Sequence, residues 1–344
     1  MHVEEASARV DAFTDGWISV VGPGGAVEVG LPKGWSVNAA WSADIITGAT
    51  PRVATDAVSS ATRFSELRNG VSVGANLASS AEWSAHGSYS GSTESDFVSH
   101  TAGAGAKVDA FGRMSTFSLD YKARFETTGR VDDDAYAETA AAHILDLGWT
   151  WILDRNTKGT VLATGEWDAC SEALGCVASP YRKVETMQGL ALSERHPDER
   201  GRVAAAVRVS RALGSATAVH GGYRLYSDTW AVLGHTVDLS LIRSLFHEAL
   251  VLRGNARLAR QGAASFWAAG YGGDSEWRTG DRDLGALTAW QAGVAVEGAR
   301  FGVGPFSRLS LSAHLDHLWL RHDDFLQDTS HDAWFFGGGL HAAF

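Results

Sequence analysis

No stretch of the 344-residue chain approaches the roughly 20 consecutive apolar residues that a membrane-spanning helix needs. That absence excludes a helical membrane protein. There is no positive balance either: the formal net charge is −11, and nucleic-acid binding wants a basic surface. Proline is scarce, at six residues, which suits long uninterrupted strands. Cysteine is scarcer still. Cys170 and Cys176 lie close together in a polar segment, which suits a small disulfide-closed loop in an oxidising compartment, with two free thiols as the alternative. The start, MHVEE, has no apolar h-region, so either a signal peptide was removed or the protein is cytosolic. A nucleophile elbow, a phosphate loop, a zinc motif and a Cys-x-x-Cys-His haem site are all missing. The chain is therefore expected not to be an enzyme and to need no cofactor.

What is present is alternation. Glycine is abundant at 39 residues and tryptophan at 13. The last eleven residues read WFFGGGLHAAF. Taking every second one back from the end gives Phe344, Ala342, Leu340, Gly338, Phe336 and Trp334, an apolar face with an aromatic at each end. A strand of this kind looks like the closing strand of an outer-membrane β-barrel. The pattern recurs. Phe117, Leu119, Tyr121, Ala123 and Phe125 oppose Ser118, Asp120, Lys122, Arg124 and Glu126, and Leu309, Leu311, Ala313 and Leu315 oppose Arg308, Ser310, Ser312 and His314. A helical period would scramble these sets.

Alternation also fits a soluble sandwich, but the strands are about 11 to 15 residues long, where soluble strands average five or six. Counting back from Phe344 predicts an all-β fold: one transmembrane antiparallel barrel spanning 1–344, of about sixteen strands, with fourteen and eighteen as neighbours. Short periplasmic turns are expected at 31–34, 154–157, 213–216 and 300–303. Long external loops are expected at 47–66, 127–137, 169–201, 268–283 and 321–330. Aromatics fall where girdles belong: Trp319, Trp334, Trp167 and Phe125 at the outer rim, and Trp149, Trp151 and Phe344 at the periplasmic rim.

Five segments in register carry a resemblance. They are DIITGATP at 44–51, STESDFVS at 92–99, CVASPYRKV at 176–184, ERHPDER at 194–200, and YRLYSDTW at 223–230 followed by His235 and Thr236. In this order and spacing the chain resembles the bacterial outer-membrane barrel family called the domain of unknown function 3570 family, over roughly residues 15–344. The resemblance implies a bacterial outer-membrane location and a barrel architecture, and no settled activity.

Projecting the inward face picks out residues expected to line a wet interior. The basic members are Lys122, Arg124, Arg202, Arg208, Arg224, Arg253, Arg257 and Arg308. The acidic ones are Asp109, Asp120, Asp146, Glu166 and Asp316. Arginines from 200–267 and carboxylates from 97–168 are expected to form opposed walls across the lumen, tuning which solutes pass. The alternative is a set of salt bridges that braces or fills the interior. Segment 169–201 could fold inward as a constriction or cap the outside. No metal site is expected: His314 and His317 take opposite faces, and His331 and His341 opposite ends. Asp132, Asp133 and Asp134, and Asp323, Asp324 and Asp328, are better cation candidates than the histidines, with solvated loop charges as the plainer reading.

The expected function is a porin-like channel for small polar or charged solutes, with outer-membrane lipid and lipopolysaccharide around it and no nucleic acid. The alternatives are a sheath holding a periplasmic lipoprotein or redox partner, and a surface receptor or adhesin.

Overall fold

The computed structural model describes residues 2–15, 18–54, 57–78, 82–176, 178–186, 189, 191–272, 275–323 and 330–344, without the side chains of 48–54, 57–64 and 185. Its strands are β1 (His2–Thr14), β2 (Ile18–Leu31), β3 (Trp35–Ala54), β4 (Ala57–Ala78), β5 (Trp83–Thr93) and β6 (Phe97–Ala110). They continue as β7 (Ser115–Thr128), β8 (Glu138–Asp154), β9 (Thr157–Cys170), β10 (Lys183–Glu185), β11 (Ala191–Ser193) and β12 (Glu199–Ala212). The last six are β13 (Thr217–Asp228), β14 (Leu233–Leu245), β15 (Leu250–Gln261), β16 (Leu287–Val303), β17 (Phe306–His322) and β18 (Ser330–Ala343). Sixteen of them close an antiparallel up-and-down barrel; β10 and β11 form a separate two-stranded hairpin.

The barrel closes where β1 meets β18, from Glu5 opposite Ala343 to Thr14 opposite Trp334. Closure gives every strand two neighbours, so no edge is left with unpaired backbone groups. The two faces sort by the alternation read in the sequence. Leu119, Val207, Leu239, Val294 and Leu311 are exposed on the outside, Leu311 at 65%. Leu311 lies in the same outward row as Leu340, and Ser312, one residue on, pairs inward with Gly339. An outer surface this apolar is a hydrocarbon-facing surface, since water would penalise it around the whole girth. Trp35, Trp41, Trp167, Trp290, Trp319 and Trp334 stand exposed on that outer face.

One rim carries short turns. Pro32–Gly34 is a single 3-10 turn with Lys33 at φ 66°, and two residues, Arg155 and Asn156, connect β8 to β9. The opposite rim carries the long segments 171–198 and 262–286. Three expectations shift. Residues 47–54 and 57–66 are strand, not loop: β3 and β4 stay paired up to Ala54 opposite Ala57, with Pro51 accommodated at a register slip between Thr50 and Arg52. The turn expected at 300–303 falls after Val303, which pairs with Phe306; Gly304, at φ 61°, makes the reversal. The thirteenth barrel strand, β15, ends at Gln261 rather than 267, because Ala264 and Phe266 turn away into a buried cluster described below.

Candidate functional site

The inner wall is built from cross-strand polar contacts. Every position predicted to line the interior falls on the inward set of its strand. Several contacts reach over the strand between. Arg124 on β7 meets Glu166 at 3.1 Å and Asp168 at 3.3 Å on β9, above Ala142 of β8, which is 3% exposed. Asn255 on β15 reaches Asp316 on β17 at 2.7 Å, and a Cβ on the intervening Gly293 would sit 1.9 Å from Asp316 Oδ1. His86 and Asp120, 2.8 Å apart, pass over Gly105 in the same way. Glycine in the middle strand is what lets neighbours two strands apart join.

The expected opposed walls are not opposed. β9 pairs directly with β12, so the acidic and basic stretches meet at one seam. There Arg202 holds Asp168 at 2.6 Å and Glu166 at 3.0 Å, sharing both carboxylates with Arg124. Lys122–Asp146 at 3.1 Å, Arg257–Asp238 at 2.5 Å and Arg308–Glu297 at 2.5 Å are also paired. Pairing of this kind cancels most of a transverse field. Arg208 and Arg253 differ: among the described residues neither has an ion-pair partner. Arg224 lies over the Tyr226 ring at 5.4 Å.

Two cavities border this wall. One, of about 720 Å³, is lined by β1 to β7 and carries Arg9, Arg68 and Arg124 among serines and glycines. Each of those arginines has a carboxylate: Asp11 at 3.5 Å, Glu94 at 3.4 Å and Glu126 at 3.0 Å. The other, of about 730 Å³, is lined by β12 to β17 and holds Arg208 and Arg253.

Over the long-loop rim lies a cap that sequence reasoning did not resolve. Segments 171–198 and 262–286 join through reciprocal backbone hydrogen bonds between Arg195 and Arg278, at 2.9 and 2.8 Å. Their centre is Glu194, whose side chain is fully buried. It accepts from Ser179 N at 2.9 Å, Gly280 N at 3.2 Å and the Thr279 hydroxyl, and pairs with Arg182 at 3.2 Å. His196 Nδ1 faces the Cys176 carbonyl at 2.8 Å, and its Nε2 lies 3.3 Å from Glu194 Oε1. Burial pushes the Glu194 pKa up, but His196, Arg182, Ser179 and Thr279 outweigh it and hold the carboxyl down at about 2.

The cap is docked on the barrel. Cys176, Trp230, Val232, Ala264 and Leu284 form a buried cluster with Phe266 and Trp267 packed against it. Arg200 lies 4.1 Å over the Trp230 ring and binds Asp228 at 2.6 Å. Cys170 and Cys176 are joined by a disulfide at the root of 171–198. From there the cap reaches outward: the Tyr181 hydroxyl donates to Asp96 and accepts from Val131 N at 2.9 Å, and Arg282 approaches Asp15 at 4.0 Å. These anchors, on the β5–β6, β7–β8 and β1–β2 connections, mean that 169–201 spans the mouth instead of descending into the lumen. Several motif residues that carried the resemblance converge here: Asp96, Arg182, Glu194, His196, Arg200, Asp228 and Trp230. The signal lay in that unusual density of charge beside aromatics in nominal loops.

The acidic loop candidates fare unevenly. Arg130 binds Asp132 at 2.7 Å, and Asp324 and Asp328 lie outside the described residues. Among the described residues the carboxylates that do gather are Glu66, Glu94 and Asp96, with ligand oxygens all within 4.8 Å of one another.

A sequence model of the family described as Protein of unknown function (DUF3570) matches residues 120–304. The chain belongs to that family. The matched stretch of this DUF3570 protein contains the whole cap and its Trp230 dock. No curated protein matches in sequence. Among solved structures, the chain is similar to one described as a bacterial polysaccharide outer membrane secretin, at 9% identity and TM-score 0.57 over 98% of both chains. The siderophore receptor PirA from Pseudomonas aeruginosa matches at 10% identity and TM-score 0.47, over 100% of this chain and 80% of that one. The first likeness is one of fold: an outer-membrane-type barrel.

Proposed function

We propose that this protein is a porin-like channel of the bacterial outer membrane that passes small polar or charged solutes. The observation that carries this reading is the inversion of an ordinary protein: large apolar side chains outside, and charged, hydrogen-bonded side chains inside around cavities of about 720 and 730 Å³. A ring of sixteen strands is wide enough for an aqueous lumen, since diameter grows with strand number. On this reading the short-turn rim faces the periplasm and the cap faces outward, as outer-membrane barrels arrange their turns and loops. The partners are lipid and lipopolysaccharide on the outer face and solutes within, and no catalytic role is assigned.

The cap makes the proposed channel a restricted one. Its anchors on three rim connections narrow the entrance, so conductance is expected to be small for a sixteen-stranded barrel. Reconstitution of the full chain in planar bilayers tests this. Discrete conductance steps in potassium chloride are the expected result; a bilayer that stays silent with demonstrably inserted protein removes the channel reading.

A further inference from the structure

We propose that the cavity lined by β12 to β17 is a binding site for small multivalent oxyanions, either carboxylate- or phosphate-bearing, built around Arg208 and Arg253. The inference narrows the solute class of the proposed channel, and it rests on that reading for its part in passage.

The argument is a comparison of two cavities in one lumen. The cavity on the β1 to β7 side has three arginines, and each is held by a carboxylate within 3.5 Å. The cavity on the β12 to β17 side has Arg208, Arg253 and Arg257. Arg257 is neutralised by Asp238 at 2.5 Å. The cavity's other carboxylate, Asp316, accepts on Oδ1 from Asn255 at 2.7 Å and Gln291 at 3.1 Å, and among the described residues it forms no ion pair with Arg208 or Arg253, so the three arginines outnumber the two acids. Arg208 and Arg253 thus present uncommitted guanidinium forks, on β12 and β15, to one cavity of about 730 Å³ that opens on the lumen. Elsewhere on the inner wall Arg124 and Arg202 share two acids and Arg308 pairs with Glu297, while Arg224 lies over the Tyr226 ring. Leaving two unpaired in a cavity makes a positive locus inside a chain of net charge −11.

A guanidinium fork matches a carboxylate or phosphate with two parallel hydrogen bonds, and two such forks select for more than one anionic group. Neutral groups complete the lining. Ser210 lies 2.7 Å from His220, and Ser240 offers a further hydroxyl. Gly222 separates Arg208 from Asp238: a Cβ there would stand 3.5 Å from Arg208 Cγ and 3.8 Å from Asp238 Cβ.

The test is calorimetric titration of the purified full-length barrel in detergent, at low ionic strength, with succinate and separately with inorganic phosphate. Saturable binding of at least one probe, weakened by added salt, is expected. The R208Q/R253Q variant should lose it, while Arg9→Gln in the other cavity should retain it; heat-modifiable migration on gels shows that each variant is folded. Which probe binds decides between the carboxylate and phosphate sources. No saturable heat with either probe, or equal binding by R208Q/R253Q, overturns the proposal. The outcome is separable from the channel test: a silent barrel that binds anions removes the channel alone, and a conducting barrel that does not bind them removes this site alone.

Discussion

Replacing Glu194 with alanine is expected to release the cap, raising conductance several-fold and opening segment 171–198 to trypsin at Arg182 and Lys183. The Glu194 carboxylate is the one acceptor shared by Arg182, Thr279, Ser179 N and Gly280 N. Removing it leaves Ser179 N, Gly280 N and the Thr279 hydroxyl without that acceptor, at about 1–3 kcal/mol for each that stays dry, while Arg182 keeps only Asp281 at 2.9 Å. Among the described residues the cap has only the β10–β11 hairpin and one 3-10 turn at Arg282–Leu284 as regular structure, so Glu194 shares the joining of its two halves with the Arg195–Arg278 backbone bonds and the apolar cluster. The barrel wall has no such dependence, so the variant is expected to insert and migrate as the wild type does. Trypsin resistance and unchanged single-channel current in a folded Glu194→Ala barrel would contradict the assignment.

The pH dependence follows with a definite sign. The Glu194 carboxyl sits at about 2 in the folded protein against an ordinary 4.5. A depressed carboxyl pKa contributes stability above its unfolded value and loses it as pH falls toward the folded one. The cap is therefore expected to stay shut through mildly acid conditions, weakening progressively below about pH 4.5 and failing as pH approaches about 2. Glu194→Gln should abolish this contribution to the acid transition of trypsin sensitivity, because the amide does not titrate.

The contrast between wall and cap explains what could be read in advance. A strand buries or exposes every second residue, so faces such as Leu309, Leu311, Ala313 and Leu315 against Arg308, Ser310, Ser312 and His314 are visible in one dimension. From them the strand count and the inward positions follow without knowing which strand touches which. Pair identity is a three-dimensional fact. That Arg124 skips over β8 to Glu166 depends on barrel curvature and on the small Ala142 between them, and neither leaves a local pattern. β9 and β12 follow one another in the ladder despite the 28-residue excursion between them, so their pairing is legible, but the sharing of Glu166 and Asp168 by Arg124 and Arg202 is not. The cap was least legible. Its energy lies in one buried carboxylate and an aromatic dock, and a Glu that opens the charged run ERHPDER reads as one more solvated loop charge. Segment 47–66 erred in the other direction: its Pro51 signals a break, yet pairing resumes at Arg52 opposite Ser59 after a single register slip.

Leu239→Arg and Ser240→Arg should behave as opposites, although the two residues are adjacent in the chain and share the middle of β14. Leu239 is 56% exposed on the outer face, whereas Ser240 lines the inner cavity. If the outside meets hydrocarbon, a guanidinium at position 239 must be carried into the bilayer midplane, at a cost of about 2–4 kcal/mol. At position 240 the same group enters a polar space where it stays hydrated, and the penalty is near zero apart from repulsion by Arg208 and Arg253. Urea-titrated folding into lipid vesicles, read by heat-modifiable gel migration, measures both. A soluble reading of the same fold predicts the reverse order, since Arg at an exposed position 239 would be harmless in water and the interior would be the place that resists charge. Equal stability of the two variants, or a wild-type barrel that remains folded and monodisperse in buffer without detergent, would remove the lipid from the outer face and with it the channel inside.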